Sequence, residues 1–394
     1  MTLESPPPNT PAGPLAGVRV LDLSAYIAGP YGCSLLADQG AEVIKIEPPV
    51  GDNLRKYPST LTTESRAFLG VNRSKRGLVL DLKREDDFQR LLALVHSADV
   101  LVHNFRPSVP ARLGMAYEQL RDLNPRLIYC AVTGFGDHGP LKDKAGYDQV
   151  LQTMTGMCTL QGAADGPPEI LYGSVVDYYA SAMVASGVAS ALYEREKSGL
   201  GQYVGVSLLR SALAMQSARM VWADHEPREV GRDMRSGGIT GIHPTREGYL
   251  YISANTPHFW QSLCQKTGLE ALLCERYDTV RKRAEHHEEI VPRLHTALAA
   301  RSALEWEVLF GEEVPCAAAR AVEDMFDFPQ VQAENMVQVF EHPVVGTYRG
   351  FTRAVTFGRT PGSSPFAAPT LDQHGDALRQ EADRLRQAHL KTSA

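Results

Sequence analysis

The sequence predicts an α/β fold in which helices pack on a parallel sheet, followed by a second, smaller unit. Three observations predict it. Short apolar strand patterns alternate with helical patterns of roughly 10–15 residues through the first third of the chain. Glycine and proline punctuate the boundaries. A new strand-and-helix set begins after the polar, glycine-rich stretch Glu226–Gly241.

The elements follow in order. Val18-Arg19-Val20-Leu21-Asp22-Leu23 reads as the first strand, Tyr31–Asp38 as a helix stopped at Gly40, and Glu42–Glu47 as the next strand. Leu78–Leu82, the helix Glu85–Ser97 and the strand Val100–Phe105 repeat the scheme, and Arg126–Val132 closes it. Crossovers in such a sheet are right-handed, and ligands bind beyond the carboxyl ends of the strands. The loops after Leu23, Glu47, Phe105 and Val132 are therefore where a site is expected. Further on, Asp148–Met157 and Tyr178–Arg195 read as helices and Gln202–Leu208 as a strand, with a Met/Ala-rich helix reaching about Trp222. Glu226–Gly241 reads as a hinge or lid. The smaller unit holds the strand Tyr249–Ala254 and helices around Phe259–Gly268, Ile290–Ala300 and Ala303–Phe310. A hairpin from His342 to Phe357 is expected to return to the first domain.

Bulk properties narrow the function. A chain of 394 residues has room for two or three domains. Its net charge of −6 gives no general attraction for nucleic acid, so an anionic ligand needs a local basic site. The six cysteines lack CxxC spacing, which fits a reduced compartment. Residues 1–14 are rich in Pro, Ser and Thr and read as a flexible arm, not a signal peptide. No run approaches the ~18 consecutive apolar residues of a membrane span. The expectation is a cytoplasmic protein with no membrane or nucleic-acid partner.

Familiar motifs are absent. No strand is followed by GxGxxG or GxxxxGK[ST], which argues against a nicotinamide dehydrogenase. There is no GxSxG elbow and no HExxH, so neither a serine hydrolase nor a metal site is expected.

Two basic groups and one acid stand out. Asn72-Arg73-Ser74-Lys75-Arg76 precedes a strand, and Asn104-Phe105-Arg106-Pro107 with Arg112 follows another. They read either as solvated loop charges or as a phosphate site, with Phe105 able to stack on a base. Asp177 follows the turn Asp165-Gly166-Pro167-Pro168 and opens a run of small residues, Ala180–Glu196, that reads as a tightly packed helix. A carboxylate there is held ionised by the helix dipole and by unpaired N–H groups. It can be an N-cap or a nucleophile. Asp148 can cap the helix that follows it.

Taken together in order, these motifs resemble the class III CoA-transferase family of the CaiB/BaiF type, which includes formyl-CoA transferases and α-methylacyl-CoA racemases. The matching stretches include Val20–Leu23, Ala28-Gly29-Pro30, Gly40–Glu47, Gly51-Asp52, Asn72–Arg76, Asn104–Pro107, Gly134-Phe135-Gly136, Gly146-Tyr147-Asp148, Asp177, Gly199–Gln202 and His342–Gly346. The resemblance runs from about Leu15 to Leu378. It implies a large Rossmann-like, CoA-binding domain over 15–222, a small domain over 223–322 and a segment 323–394 that returns to the large domain. It also implies an interlocked homodimer. No cofactor would be permanently bound; coenzyme A and its thioesters enter as substrates. The family nucleophile falls on Asp177, which would form an anhydride and then an aspartyl-CoA thioester. Backbone N–H groups near Asp177, or from a glycine loop at Gly237-Gly238, would stabilise the oxyanions. The family's CoA contacts fall on Ile27, Ala28, Val71, Asn72, Lys75, Asn104, Phe105, Arg106, Arg112, Tyr147 and Asp148.

Departures from the family narrow the substrate. Ile27 stands where formyl-CoA transferases have a gating Gln, only two adjacent glycines stand in the glycine loop, and Ala145 replaces a CoA-binding Lys. Racemases carry a His where Tyr147 stands, and a phenol is a poor base near neutrality. The resemblance thus implies an acyl-CoA:carboxylate CoA-transferase with a small dicarboxylic or hydroxy acid as acceptor. A racemase or epimerase is the alternative, and a silent CoA-binding protein a third.

Overall fold

The computed structural model describes residues 13–162, 166–225, 239–362 and 364–392. The chain forms two compact units. The first comprises Met1–Cys158, Glu169–Trp222 and Pro329–Ala394; the second comprises Thr159–Pro168 and Ala223–Phe328. The short piece Thr159–Pro168 thus groups with the second unit, and the return to the first begins at Pro329.

Six parallel strands build the first unit: β1 (Arg19–Asp22), β2 (Glu42–Glu47), β3 (Lys75–Val79), β4 (Val100–His103), β5 (Ile128–Thr133) and β6 (Tyr203–Ser207). Their order in the sheet is β3-β2-β1-β4-β5-β6. That is the order of a doubly wound dinucleotide-binding sheet, with its topological switch between β1 and β4. The helices are α1 (Ala28–Asp38), α2 (Arg66–Val71), α3 (Glu85–His96), α4 (Ser108–Leu113), α5 (Tyr117–Leu123), α6 (Asp148–Met154), α7 (Val175–Ser198) and α8 (Leu208–Ala214).

Alternation along the strands feeds two cores, because successive side chains point to opposite faces. Val20, Val43, Val100 and Ile128 pack under α1 and α7, against Leu36, Val184 and Val188. Leu21, Ile44, Leu101 and Tyr129 pack on the other face, against Leu91 and Leu94 of α3 and Leu120 of α5. Each fully buried Leu or Val contributes about 1.5–3 kcal/mol. Helix α7 is long and apolar enough to cross a membrane by length and composition alone. Its Val176, Ala180, Val184 and Val188 are instead buried against the sheet core. Small residues let α1 and α7 approach closely: a Cβ on Gly32 would lie 2.8 Å from Val184. Gly199, left-handed at φ 78°, ends α7.

The second unit has a three-stranded antiparallel sheet, β7 (Gly241–Pro244), β8 (Tyr249–Ile252) and β9 (Cys316–Ala318). Helices α9 (Pro257–Thr267), α10 (Val280–Glu285), α11 (His287–Leu298) and α12 (Ala303–Phe310) accompany it. Leu250, Trp260, Leu294, Trp306 and Phe310 form its core. The returning segment supplies α13 (Pro329–Ala333), the antiparallel hairpin β10 (Val337–His342) and β11 (Gly346–Phe351), and α14 (Gly375–Thr392). Leu378 and Ala382 of α14 join the core beside α3.

One strand differs from its sequence reading. β3 begins at Lys75, three residues before the expected Leu78. A run of Lys75-Arg76-Gly77 does not look like a buried strand. Here it is one because Lys75 is fully buried, with its Nζ 2.8 Å from Asp22 Oδ2 of β1. The shift moves Leu80–Leu82 out of the strand and into the loop at its carboxyl end.

Candidate active site

Two cavities open at the carboxyl ends of the parallel strands. The smaller, about 390 Å³, is lined by residues after β1, β2, β3 and β4, among them Ser24, Pro48, Val50, Leu80, Asp81, Lys83 and Phe105. The larger, about 750 Å³, is lined among others by Tyr26–Ala28, Arg66, Arg106, Lys144, Tyr147, Asp148, Tyr172 and Asp177. They share Ala25, Asn104 and Phe105, at the β1/β4 switch. This is the crevice where doubly wound sheets hold their ligands.

The shared wall is fixed by hydrogen bonds. Asn104 brackets Ala25: its Oδ1 accepts from the Ala25 N–H at 3.0 Å and its Nδ2 donates to the Ala25 carbonyl at 2.7 Å. Tyr26, held at φ 65°, donates its N–H to Asp52 Oδ1 at 3.2 Å. Asp52 is itself buried on Lys45 Nζ at 2.9 Å. Phe105 donates its N–H to His103 Nδ1 and stacks on that ring with centroids 5.3 Å apart. Burial pulls the His103 pKa down to about 3, so the ring is a neutral support.

Asp177 lies in the first turn of α7, half-buried. It does not cap the helix. The cap position is Ser174, in the left-handed region with no side-chain cap bond. The capping carboxylate comes from α6: Asp148 Oδ2 accepts from the N–H groups of Val176 at 2.6 Å and Asp177 at 3.0 Å. Asp148 is buried, and its other oxygen accepts from Gln152 Nε2. Gln152 also bonds both backbone groups of Leu171, fixing the segment that leads into α7. Behind Asp148 the loops meet backbone to backbone. A Cβ on Gly134 would come within 2.8 Å of the Gly146 Cα, so both positions require glycine. Ser181 completes the support by donating to the carbonyls of Asp177 and Ala28.

This arrangement corrects two expectations. The helix start does not hold Asp177 ionised. Burial, then the charge of Asp148, push its pKa up to about 7. Nor are the nearby N–H groups of Val176 and Asp177 available to an oxyanion, since Asp148 occupies them. Helix α1, by contrast, starts without a side-chain cap where Ile27 and Ala28 line the larger cavity.

The remaining expected contacts divide. Ile27, Ala28, Asn104, Phe105, Arg106, Tyr147 and Asp148 all line the larger cavity with Asp177. Val71, Asn72 and Lys75 do not, and the reading of Asn72–Arg76 as a basic phosphate cluster is corrected. All three are buried. Lys75 stands at the amino end of β3 and bonds Asp22, Asn72 Oδ1 and the Pro30 carbonyl. Arg73 pairs with Asp38, and Arg76 with Glu42. The smaller cavity is lined instead by Leu80–Lys83, beyond the carboxyl end of that strand. Arg112 lies exposed on α4, its Nε on the Ser108 carbonyl, and lines neither cavity. Gly237 and Gly238 lie outside the described residues.

A fixed acid of raised proton affinity thus stands at the wall of a cleft with cationic groups and a stacking aromatic. Comparison with known proteins places this geometry. The family model described as "CoA-transferase family III" matches residues 15–375. The acetyl-CoA:oxalate CoA-transferase of Acetobacter aceti is 35% identical over 387 residues, covering 95% of this chain and 97% of that protein. The succinate–glutarate CoA-transferase of Agrobacterium fabrum is 31% identical, covering 94% and 96%. The crystal structure of a CAIB/BAIF family protein from Brucella suis superposes with a TM-score of 0.83 at 28% identity, covering 94% of this chain and all of that one. With a matching model over nearly its whole length and relatives of this similarity, the chain belongs to CoA-transferase family III, and it is a CoA-transferase.

Proposed function

We propose that this enzyme moves CoA from an acyl-CoA to a free dicarboxylic acid through covalent intermediates on Asp177. The observation that carries the reading is the Asp177 carboxylate, carried on a backbone held by Asp148 and Ser181 at the wall of the 750 Å³ cavity and partly desolvated there. Desolvation and alignment are what make a carboxylate a competent nucleophile. Asp177 attacks the thioester carbonyl, the C–S bond breaks, and CoA thiolate leaves a mixed anhydride. The thiolate then attacks the aspartyl carbonyl, releasing the donor acid and forming an aspartyl-CoA thioester. The acceptor carboxylate reverses the sequence and leaves as its CoA thioester. N–H groups at the uncapped start of α1 stabilise the oxyanions. The nucleotide end of CoA takes the smaller cavity, with Lys83 and Arg106 near its phosphates and Phe105 beside its base. Relatives named for oxalate and glutarate support a dicarboxylic acceptor.

The working form is inferred to be a homodimer. Tyr172, Val221 and Trp222 are exposed in the isolated chain, at 98%, 75% and 51%, which fits surfaces that a second copy covers. Size-exclusion with light scattering should return about twice the chain mass of 43.2 kDa; a monomer contradicts the inference.

The decisive test is chemical. Acyl-CoA incubated with enzyme and quenched with hydroxylamine should leave a hydroxamate at residue 177, found by peptide mass spectrometry. Asp177→Ala should yield no adduct and lose at least about a thousandfold in transfer rate, the scale for removing a nucleophile. Wild-type transfer by that variant sinks the mechanism. The raised proton affinity of Asp177 also suits a racemase. That reading requires deuterium uptake at the α-carbon of an acyl-CoA in heavy water without any acceptor.

A further inference from the structure

The larger cavity holds four cationic side chains, and the sheet order separates them. Arg106 follows β4, and Lys142 and Lys144 follow β5. Arg66 comes from the segment after β2, on the other side of β1. Two other arginines between β2 and β3 are occupied: Arg55 binds Glu47 and Glu64, and Arg73 binds Asp38. Arg66 makes no side-chain hydrogen bond or ion pair among the described residues. Its backbone is nonetheless fixed. The Arg66 N–H donates to Ser59 Oγ at 3.2 Å, and Ser65 caps α2 through the Phe68 N–H at 3.0 Å.

Packing and hydrogen bonds link Ala67, the neighbour of the exposed Arg66, to the first turn of α7. Ala67 and Ile27 belong to one apolar cluster, and Ala28 follows Ile27. The Ala28 carbonyl accepts from Ser181 Oγ, which also donates to the Asp177 carbonyl. Ile27, Leu54, Pro58 and Ala67 add apolar lining to the same cavity.

We propose that Arg66 determines acceptor specificity: its guanidinium binds the non-reacting carboxylate of a dicarboxylic acid while the other carboxylate attacks at Asp177. The proposal rests on the CoA-transfer reading above. A planar guanidinium matches a carboxylate with two parallel hydrogen bonds. A second carboxylate entering a cavity that already holds Asp148 and Asp177 gains from a facing cation, and the other three cations of the cavity come from the far side of β1. A monocarboxylic acid has no such group and does not need Arg66. Binding at Arg66 makes and breaks no covalent bond.

The test uses full-length wild type, Arg66→Gln and Arg66→Lys, with acetyl-CoA as donor and glutarate or butyrate as acceptor, read by mass spectrometry of the acyl-CoA products. Arg66→Gln should raise the KM for glutarate roughly tenfold to a hundredfold, the scale of a lost charge-assisted pair. The glutarate kcat should change less, the butyrate KM should hold, and Arg66→Lys should fall between. A glutarate KM that stays put in both variants, or rises equally with that of butyrate, overturns the proposal. The hydroxylamine adduct from acetyl-CoA alone separates this failure from a broader one. Wild type forming no adduct overturns both the covalent route through Asp177 and the role of Arg66 built on it. Adduct formation with unchanged acceptor discrimination overturns only the latter. If Arg66→Gln is unfolded, Arg66→Lys carries the comparison.

Discussion

Two buried charge clusters in the first unit use the same side chain to opposite ends. At the carboxyl end of the interior strand β1, Asp22 is fully buried between Lys75, which bonds it, and Lys45. Burial alone would raise its pKa, but the two lysines outweigh burial and hold it at about 2. At the cavity wall, Asp177 has another acid for a neighbour and no lysine, and its pKa rises to about 7. The first arrangement is neutralised and structural. The second keeps an uncompensated acid in place because Asp148, not Asp177, takes the helix N–H groups. Partner sign, more than depth, separates a scaffold acid from a reactive one.

The contrast breaks most visibly at the neutralised cluster. Lys75→Met should cost about 3–5 kcal/mol in chemical denaturation, because it strands a buried carboxylate. Asp22 has a folded pKa below its unfolded value, so its stabilisation is present above about pH 4 and lost as pH falls toward 2. The acid limb of the wild-type stability curve should therefore flatten in Asp22→Asn. A variant as stable as wild type at pH 7 would mean that the pair contributes nothing.

At the like-charged cluster the effects are smaller and of opposite sign. On the proposed mechanism Asp177 attacks in its ionised form, so acylation rates should rise with pH through about 7 and then level. Asp148→Asn keeps an acceptor oxygen for the N–H groups but removes the charge, so the midpoint should drop below 7. A midpoint that does not move would assign the shift to burial alone. Smallest is the effect on stability. A carboxylate whose folded pKa lies above its unfolded value costs stability as pH rises between about 4 and 7. Asp177→Asn should melt about 2 °C or more above wild type at pH 8, and close to it at pH 4. An equal difference at both values would make the gain one of packing.

Much of this was legible in the sequence because it is local. The alternation of strand and helix patterns specifies a parallel sheet, and Asp177 stands out at the head of a run of small residues. What was not legible depends on partners far along the chain. Lys75 reads as a surface cation until Asp22, 53 residues earlier, is known to hold it. That misreading shifted β3 by three residues and hid Leu80–Leu82 as cavity lining. Asp148 reads as a cap for its own helix; only the close approach of Gly134 and Gly146 aims it at α7, 28 residues on. Arg66 carries no sequence signal at all, being one arginine among many. Its meaning comes from which neighbours are already occupied.

The bracket of Asn104 on Ala25 has a consequence for the timing of catalysis. Both backbone groups of Ala25 are tied to the residue that follows β4. The loop shared by the two cavities is thus held by the protein's own hydrogen bonds, and a loop held in this way takes little binding affinity to order. A pre-shaped corridor of this kind lets a long, floppy carrier molecule deliver its far end to one oxygen atom without the protein having to fold around it first.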